Sequence, residues 1–300
     1  PEPRIGLAYF LSSDIAIKAS YASMNQYIHL LSNTGINLPT DLWVGSTSRV
    51  APQNSNQAAL GIAKDFFDQG LAFSVEGYYK KSNNVISYKE GASFLIIDDP
   101  GSGESAKDWQ DNITVGQGWA YGLELLLQKK RGDFTGWVGY TLSWTQLQFD
   151  DINFGQRFNA RYDRRHDISV VGMYKINEKF RLSATWVYGT GQAISLPNAT
   201  YDAGTHNPGG GPNNFSFFNI TQYSAPRNGL RMAPYHRADV GLQYTKKKKW
   251  GEATWEFSVY NLYNRWNPYF YFIRQDFQNP EKSTLRQVSL FGFLPSITYN

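Results

Sequence analysis

The stretch WAYGLELLLQKKRGDFTGWVGYTLSWT, residues 119–145, decides the fold. In its first half Trp119, Tyr121, Leu123, Leu125 and Leu127 alternate with Ala120, Gly122, Glu124, Leu126 and Gln128. After Arg131-Gly132-Asp133 the scheme resumes, with Phe134, Gly136, Val138, Tyr140, Leu142 and Trp144 on one side and Thr135, Trp137, Gly139, Thr141, Ser143 and Thr145 on the other. Successive side chains of an extended chain point to opposite faces, so each half is a strand with one oily face and one face that is mostly small or polar.

The same period of two runs through the whole chain, as in Phe180, Leu182, Ala184, Trp186 and Tyr188 against Arg181, Ser183, Thr185, Val187 and Gly189. Helical periodicity is hard to find. Strands are expected near 4–11, 14–31, 55–67, 71–88, 119–130, 134–147, 166–176, 179–191, 235–245, 252–264 and 285–300, about eleven in all. Most are longer than the roughly 9 to 11 residues a tilted strand needs to cross hydrocarbon.

Connections alternate between short and long. Ser12-Ser13, Asp68-Gln69-Gly70, Arg131-Gly132-Asp133, Asn177-Glu178 and the 246–251 turn are short, whereas 32–54, 89–118, 148–165, 192–234 and 265–284 are long. Outer-membrane barrels have short periplasmic turns and long outside loops. The expected fold is therefore an all-β, transmembrane antiparallel barrel with its C-terminus on the periplasmic side. Aromatic girdles should mark both interfaces: Tyr140, Trp144, Trp186 and Tyr188 at the outer one, and Trp119, Phe134, Tyr174, Phe180 and Trp255 at the periplasmic one.

Composition agrees. Aromatic residues reach 16% while mean hydropathy is −0.47, as when lipid-facing and lumen-facing positions alternate and cancel. No run approaches the roughly 20 apolar residues of a membrane helix, and no signal segment precedes the first strand. Without cysteine there is no disulfide or thiolate metal site. A net charge of +4 argues against nucleic acid, and the basic run Lys246 to Lys249 reads as a solvated turn. Eleven is an odd count, whereas single-chain bacterial barrels have even ones. Either one strand is uncounted or the chain is a piece of something longer.

Several segments resemble the distal barrel of TonB-dependent transporters, especially those of Bacteroidota. They are Lys18 to Pro52 (KASYASMNQYIHLLSNTGINLPTDLWVGSTSRVAP), Tyr121 to Thr145, Tyr162 to Val171 (YDRRHDISVV), Val259 to Tyr269 (VYNLYNRWNPY) and Ser289 to Asn300 (SLFGFLPSITYN). The resemblance implies a 22-stranded barrel around a plug, of which residues 1–300 form the C-terminal half, with the plug, the first barrel half and the TonB-binding segment absent. Family members usually end on an aromatic residue slightly beyond such an ending, so this chain, stopping at Asn300, is read as trimmed at both ends.

Two regions are candidate substrate contacts. Arg157, Arg161, Tyr162, Asp163, Arg164, Arg165 and His166, with Asp167, cluster where an outside loop enters a strand. Guanidinium forks suit an anionic substrate or lipopolysaccharide phosphates; the competing reading is an ion-pair network that holds loop to wall. The loop Tyr201 to Tyr223 combines Gly209, Gly210, Gly211, Asn213 and Asn214 with Phe215, Phe217 and Phe218, and suits a substrate lid, a docking surface for a cell-surface lipoprotein, or rings packed among neighbouring loops. Glu124, Glu256, Arg237 and Asp239 fall on lumen-facing positions. His166 and Ser169 lie on opposite faces by parity, so no catalytic triad follows. The other histidines lack metal-ligand spacing, and Asp98-Asp99 or Asp150-Asp151 would at most help form a loop calcium site. No enzyme activity, cofactor or resident metal is expected.

The resulting expectation is an active importer of the bacterial outer membrane, contacting lipid and lipopolysaccharide and drawing on the TonB complex through the absent N-terminal part. The alternatives are a passive 12-stranded porin-like channel and a structural or docking barrel in an envelope assembly.

Overall fold

The computed structural model describes residues 1–32, 41–90, 108–206, 215–223, 226–275 and 283–300; within these, the side chains of 32, 41, 197–206, 215–223, 275 and 283 are not described. Eleven strands build the wall: β1 (Arg4–Phe10), β2 (Ile15–Gln26), β3 (Gln53–Phe66), β4 (Leu71–Tyr88), β5 (Ile113–Lys129), β6 (Phe134–Gln148), β7 (His166–Lys175), β8 (Phe180–Gly189), β9 (Tyr235–Lys248), β10 (Gly251–Tyr260) and β11 (Leu294–Tyr299). They form one antiparallel sheet in chain order, each strand pairing with its neighbours in sequence. The two-residue strand Phe158–Asn159 raises the sheet to twelve members but pairs only with the outer end of β6 and adds nothing to the wall.

Register sorts the faces. Residues opposite one another in an antiparallel ladder share a face. One row runs Lys18, Gly61, Glu76, Glu124, Thr141, Asp167, Gly189, Tyr235. The next runs Ala19, Leu60, Gly77, Leu123, Leu142, His166. Large apolar side chains such as Leu60, Leu123, Val138, Leu182, Trp255, Phe257 and Ile297 stand exposed on the second face. In water so large a patch is a liability; against hydrocarbon it is the solvated surface of a barrel wall.

Short turns close one end by local chemistry. Gly70 and Gly132 supply left-handed backbone (φ +62° and +100°) that a side chain would strain. Asn177 Oδ1 accepts from Lys179 N and Phe180 N at 2.8 and 3.0 Å, an Asx turn. At the sheet's two sides, β1 and β11 end the path and are exposed along their whole length. Each is an unpaired edge, which lipid cannot satisfy.

The expected eleven strands all occur, with shifted bounds. The expected 14–31 strand breaks at Tyr27, and Ile28–Ser32 instead pairs with Asp41–Gly45 in a hairpin above the wall. The expected 285–300 strand splits: Ser283–Val288 pairs with Phe270–Gln275, and only Leu294–Tyr299 joins the sheet. A third loop hairpin joins Pro197–His206 to Phe215–Tyr223. Trp119 is a correction. It pairs with Lys81 and Gln146 near the long-loop end, because β5 begins at Ile113, and it cannot mark the periplasmic interface. Tyr140, opposite Leu125 and Ile168, lies near the middle of β6 and not at the outer interface. Trp144, Trp186 and Tyr188 lie toward the loop end, and Phe134, Tyr174, Phe180 and Trp255 toward the turn end. Tyr79, Tyr121 and Trp144 stack toward the loop end (centroids 6.4 and 5.4 Å), while Phe180 with Tyr244 (5.0 Å) and Trp255 with Tyr299 (4.6 Å) mark the turn end.

Candidate functional site

The inner wall is polar and its charges are unevenly matched. Arg237 and Asp239, two residues apart on β9, pair at 2.9 Å, and the Arg237 guanidinium lies 4.0 Å over the Tyr260 ring. Glu76 and Glu124 stand directly opposite across β4 and β5. Gly61 makes room for the pair: a Cβ there would meet the Glu76 Cβ at 3.2 Å and Val75 O at 2.9 Å. Among the described residues neither carboxylate makes an ion pair. Like charges directly opposite in a ladder are destabilising.

The outer rim is a set of loops tied into one cap. Asp163 is fully buried. Its Oδ1 accepts from Thr145 N at 2.6 Å, and its Oδ2 takes the Arg165 guanidinium at 3.4 Å and, more closely, that of Arg231. Arg231 Nη1 also donates to the carbonyls of Asp163 (2.9 Å) and Gly191 (3.1 Å). Arg165 Nη1 donates to Ser143 O at 3.0 Å, and its Cζ lies 4.4 Å over the Trp144 ring. One buried carboxylate therefore joins β6, the entry to β7 and a segment 68 residues further on. Burial holds the Arg165 guanidinium below its usual range, against the pull of Asp163.

Two small cores sit beneath the loops. Leu31, Val44, Val50, Ile86, Tyr88 and Ile113 pack under the first hairpin, with His29 buried beside them and its Nε2 3.1 Å from Ser46 Oγ. Burial pushes the His29 imidazole below its ordinary range. Phe149, Ile152 and Phe158 pack against Val85 and Leu147. Asn228 stitches two long loops, donating from Nδ2 to Asn159 O and from N to Ser195 Oγ, both at 2.9 Å. After β10, the run Asn261 to Asn267 turns the chain. Asn261 is fully buried at φ +54°. Its Nδ2 donates to Arg265 O (2.8 Å) and Phe291 O (3.2 Å), and its Oδ1 accepts from Arg265 N (3.0 Å).

The candidate cluster thus divides. Asp163 and Arg165 belong to the buried tie. His166 lies on the outward face, its Nδ1 2.9 Å from the Tyr140 hydroxyl. Arg157 stacks on Trp119 at 3.8 Å. Arg161 lies 5.8 Å over Tyr162, and Arg164 Nη1 is 3.6 Å from Asp167 Oδ2. The side chains of Phe215, Phe217 and Phe218 lie outside the described residues, as do Gly209 to Asn214, Asp98 and Asp99. Sequence reasoning missed Arg231, whose signal is only a lone arginine in a long loop, and Phe154, which is 93% exposed at a loop tip with φ +57°. Among the described residues no group of three or more acidic or histidine side chains gathers as a metal site.

A meandering sheet with an oily outer face, a polar inner face, short turns at one end and a tied cap of loops at the other is the wall of an outer-membrane β-barrel. Residues 2–262 match the family described as TonB dependent receptor-like, beta-barrel, and the chain belongs to that family. Its fold is also that of solved siderophore receptors. It is similar to the ferripyoverdine receptor of Pseudomonas aeruginosa (13% identity, 99% of this chain, 32% of that one, TM-score 0.53) and to the ferric-catecholate import receptor Fiu of Escherichia coli K12 (14%, 99%, 34%, 0.53). The ferric preacinetobactin receptor BauA of Acinetobacter baumannii is another such structure (14%, 99%, 36%, 0.55). The chain spans about a third of the length of these structures. No curated protein matches it.

Proposed function

We propose that these eleven strands are the C-terminal half of a 22-stranded barrel and that the whole protein is an active importer, with a plug in its lumen and energy drawn from a TonB complex through its N-terminal part. The observation that carries this reading is the inner wall itself. Glu76 and Glu124 face each other and, among the described residues, neither makes an ion pair, Lys18 standing beyond Gly61 on the same row. Repulsion between the two carboxylates is relieved by positive groups occupying the lumen. The siderophore receptors with this fold support a bulky anionic or metal-chelating cargo. Among the residues first singled out, Arg161, Tyr162 and Arg164 remain the candidate contacts, together with the rings of Phe215, Phe217 and Phe218. Outer-membrane lipid, lipopolysaccharide and a cell-surface lipoprotein remain proposed partners.

Planar-bilayer recording on the intact source protein tests the proposal. A plugged importer is closed, and replacing both Glu76 and Glu124 by Gln loosens the plug and yields intermittent conductance. Stable open channels from the unaltered protein, or an intact mature polypeptide of only 34.1 kDa, would show a passive channel instead.

A further inference from the structure

Positive charge is concentrated at one place on this wall. Residues 129–133, 175–181 and 246–252 span the turns β5–β6, β7–β8 and β9–β10, and hold ten lysines and arginines against three carboxylates, although the whole chain carries only +4. The two earlier turns differ: they carry Asp14, Asp65 and Asp68 against Lys64, with Asp14 3.9 Å from Lys64 and Asp65 3.9 Å from Lys130 of the next turn. Among the described residues, Arg131, Lys179, Lys246, Lys247 and Lys249 make no ion pair. Register puts Lys246 and Lys248 on the same outward face as Tyr244 and Trp255. Lys248 Nζ donates to the Tyr299 hydroxyl at 2.9 Å and lies 5.6 Å over that ring. Beyond the last ladder pair, Lys248 with Gly251, the tip presents Trp250 at 91% exposure with Lys249 Nζ 5.4 Å over its ring.

We propose that these three turns form a site for anionic phospholipid headgroups in the inner leaflet of the outer membrane. Turn-end rings on the lipid-facing side put the lysines at headgroup depth, where an indole inserts and an ammonium reaches the phosphate. A merely solvated turn has no use for a bare tryptophan at its tip, and a basic cluster beside anionic lipid is drawn to it. The occupant is a membrane lipid and not a free phosphate, because Trp255 and Tyr299 stand on the hydrocarbon side beside the lysines and Trp250 offers an exposed ring at the tip. The site needs no transport, so its failure and that of the import reading are separate.

The experiment reconstitutes the intact source protein in nanodiscs containing equal phosphatidylglycerol and phosphatidylcholine, extracts it, and counts retained lipids by native mass spectrometry. The unaltered protein is expected to retain the anionic lipid at least about fivefold over the neutral one, the ratio that follows from roughly one lysine's worth of attraction to an anionic surface. The variant K246Q/K247Q/K248Q/K249Q should lose most of that preference, while K81Q/R157Q at the opposite rim keeps it. Thermal midpoints in purely neutral discs check the wall. If the fourfold variant is destabilised there, K249Q/W250A, confined to the unpaired tip, carries the test. Equal retention of both lipids by the unaltered protein, undiminished preference in the tip variant, or capture of an acidic protein without lipid preference would overturn the proposal.

Discussion

The two rims of this wall are made of the same strands and are built on opposite principles. At the loop rim, polar groups are buried and joined: Asp163, Asn228 and Asn261 are each nearly or wholly enclosed, and each holds segments distant in sequence. At the turn rim no polar side chain is enclosed among the described residues: the turns are closed by bonds two or three positions away, as Asn177 makes with Lys179 and Phe180, and the longer-range bonds, such as Lys248 with Tyr299, are exposed. The difference follows from loop length. A short turn is satisfied by its own backbone, whereas a long loop must be ordered against other loops, and that costs conformational entropy that only buried, specific contacts offset.

The contrast predicts very unequal consequences for similar substitutions. Asp163→Ala removes, among the described residues, the one carboxylate paired with Arg165 and Arg231 and should cost about 3 kcal/mol, since it leaves two partly buried guanidinium groups uncompensated. Urea unfolding in bilayers would measure the loss, and protease cleavage within 190–235 should rise; unchanged cleavage would break the idea of a tied cap. Next comes Asn261→Ala, which leaves the Arg265 and Phe291 carbonyls without their donor and places a residue less suited to φ +54° there. A loss of about 2 kcal/mol is expected in the same assay.

A smaller effect depends on pH. His29 is neutral when buried, its affinity for protons lowered by desolvation, so the folded hairpin binds fewer protons than the open one. The pairing of Ile28–Ser32 with Asp41–Gly45 therefore loses stability as pH drops through about 6.5, the ordinary imidazole value, and retains it fully above. Hydrogen exchange at pH 7.5 and 5.5 should show the amides of 28–32 loosening in acid, and His29→Leu should abolish the difference. Least of all should follow from the turn rim. Glu178, held below its usual range mainly by its hydrogen bond from Lys175, is fully solvated. Glu178→Gln should leave the unfolding curve unmoved, since exposed pairs contribute little. A measurable drop there would blur the comparison between the rims.

The wall was largely legible from sequence because its causes are local. Alternation shows which face each residue takes, and glycine or asparagine with polar neighbours marks the reversals. Depth was less legible. Trp119 looked like a periplasmic ring because six extended residues before it, Ile113 to Gly118, lack strong alternation; only pairing with β4 puts it at the loop end. Likewise Ile28–Ser32 continues the alternation of β2, and nothing in the run itself says that the chain leaves the sheet at Tyr27. The cluster around Arg157 to His166 was visible as charge, but its division into a buried tie, an outward ring contact and a solvent-facing remainder was not.

The order of residues alone determined that this chain is a meander of membrane-crossing strands, oily on one side and wet on the other, since face and turn are properties of neighbours along the chain. Tertiary structure decided which loop groups are interior. Arg231 reaches Asp163 across 68 positions, and whether a charge is solvated or enclosed depends on what folds over it, which no local pattern encodes.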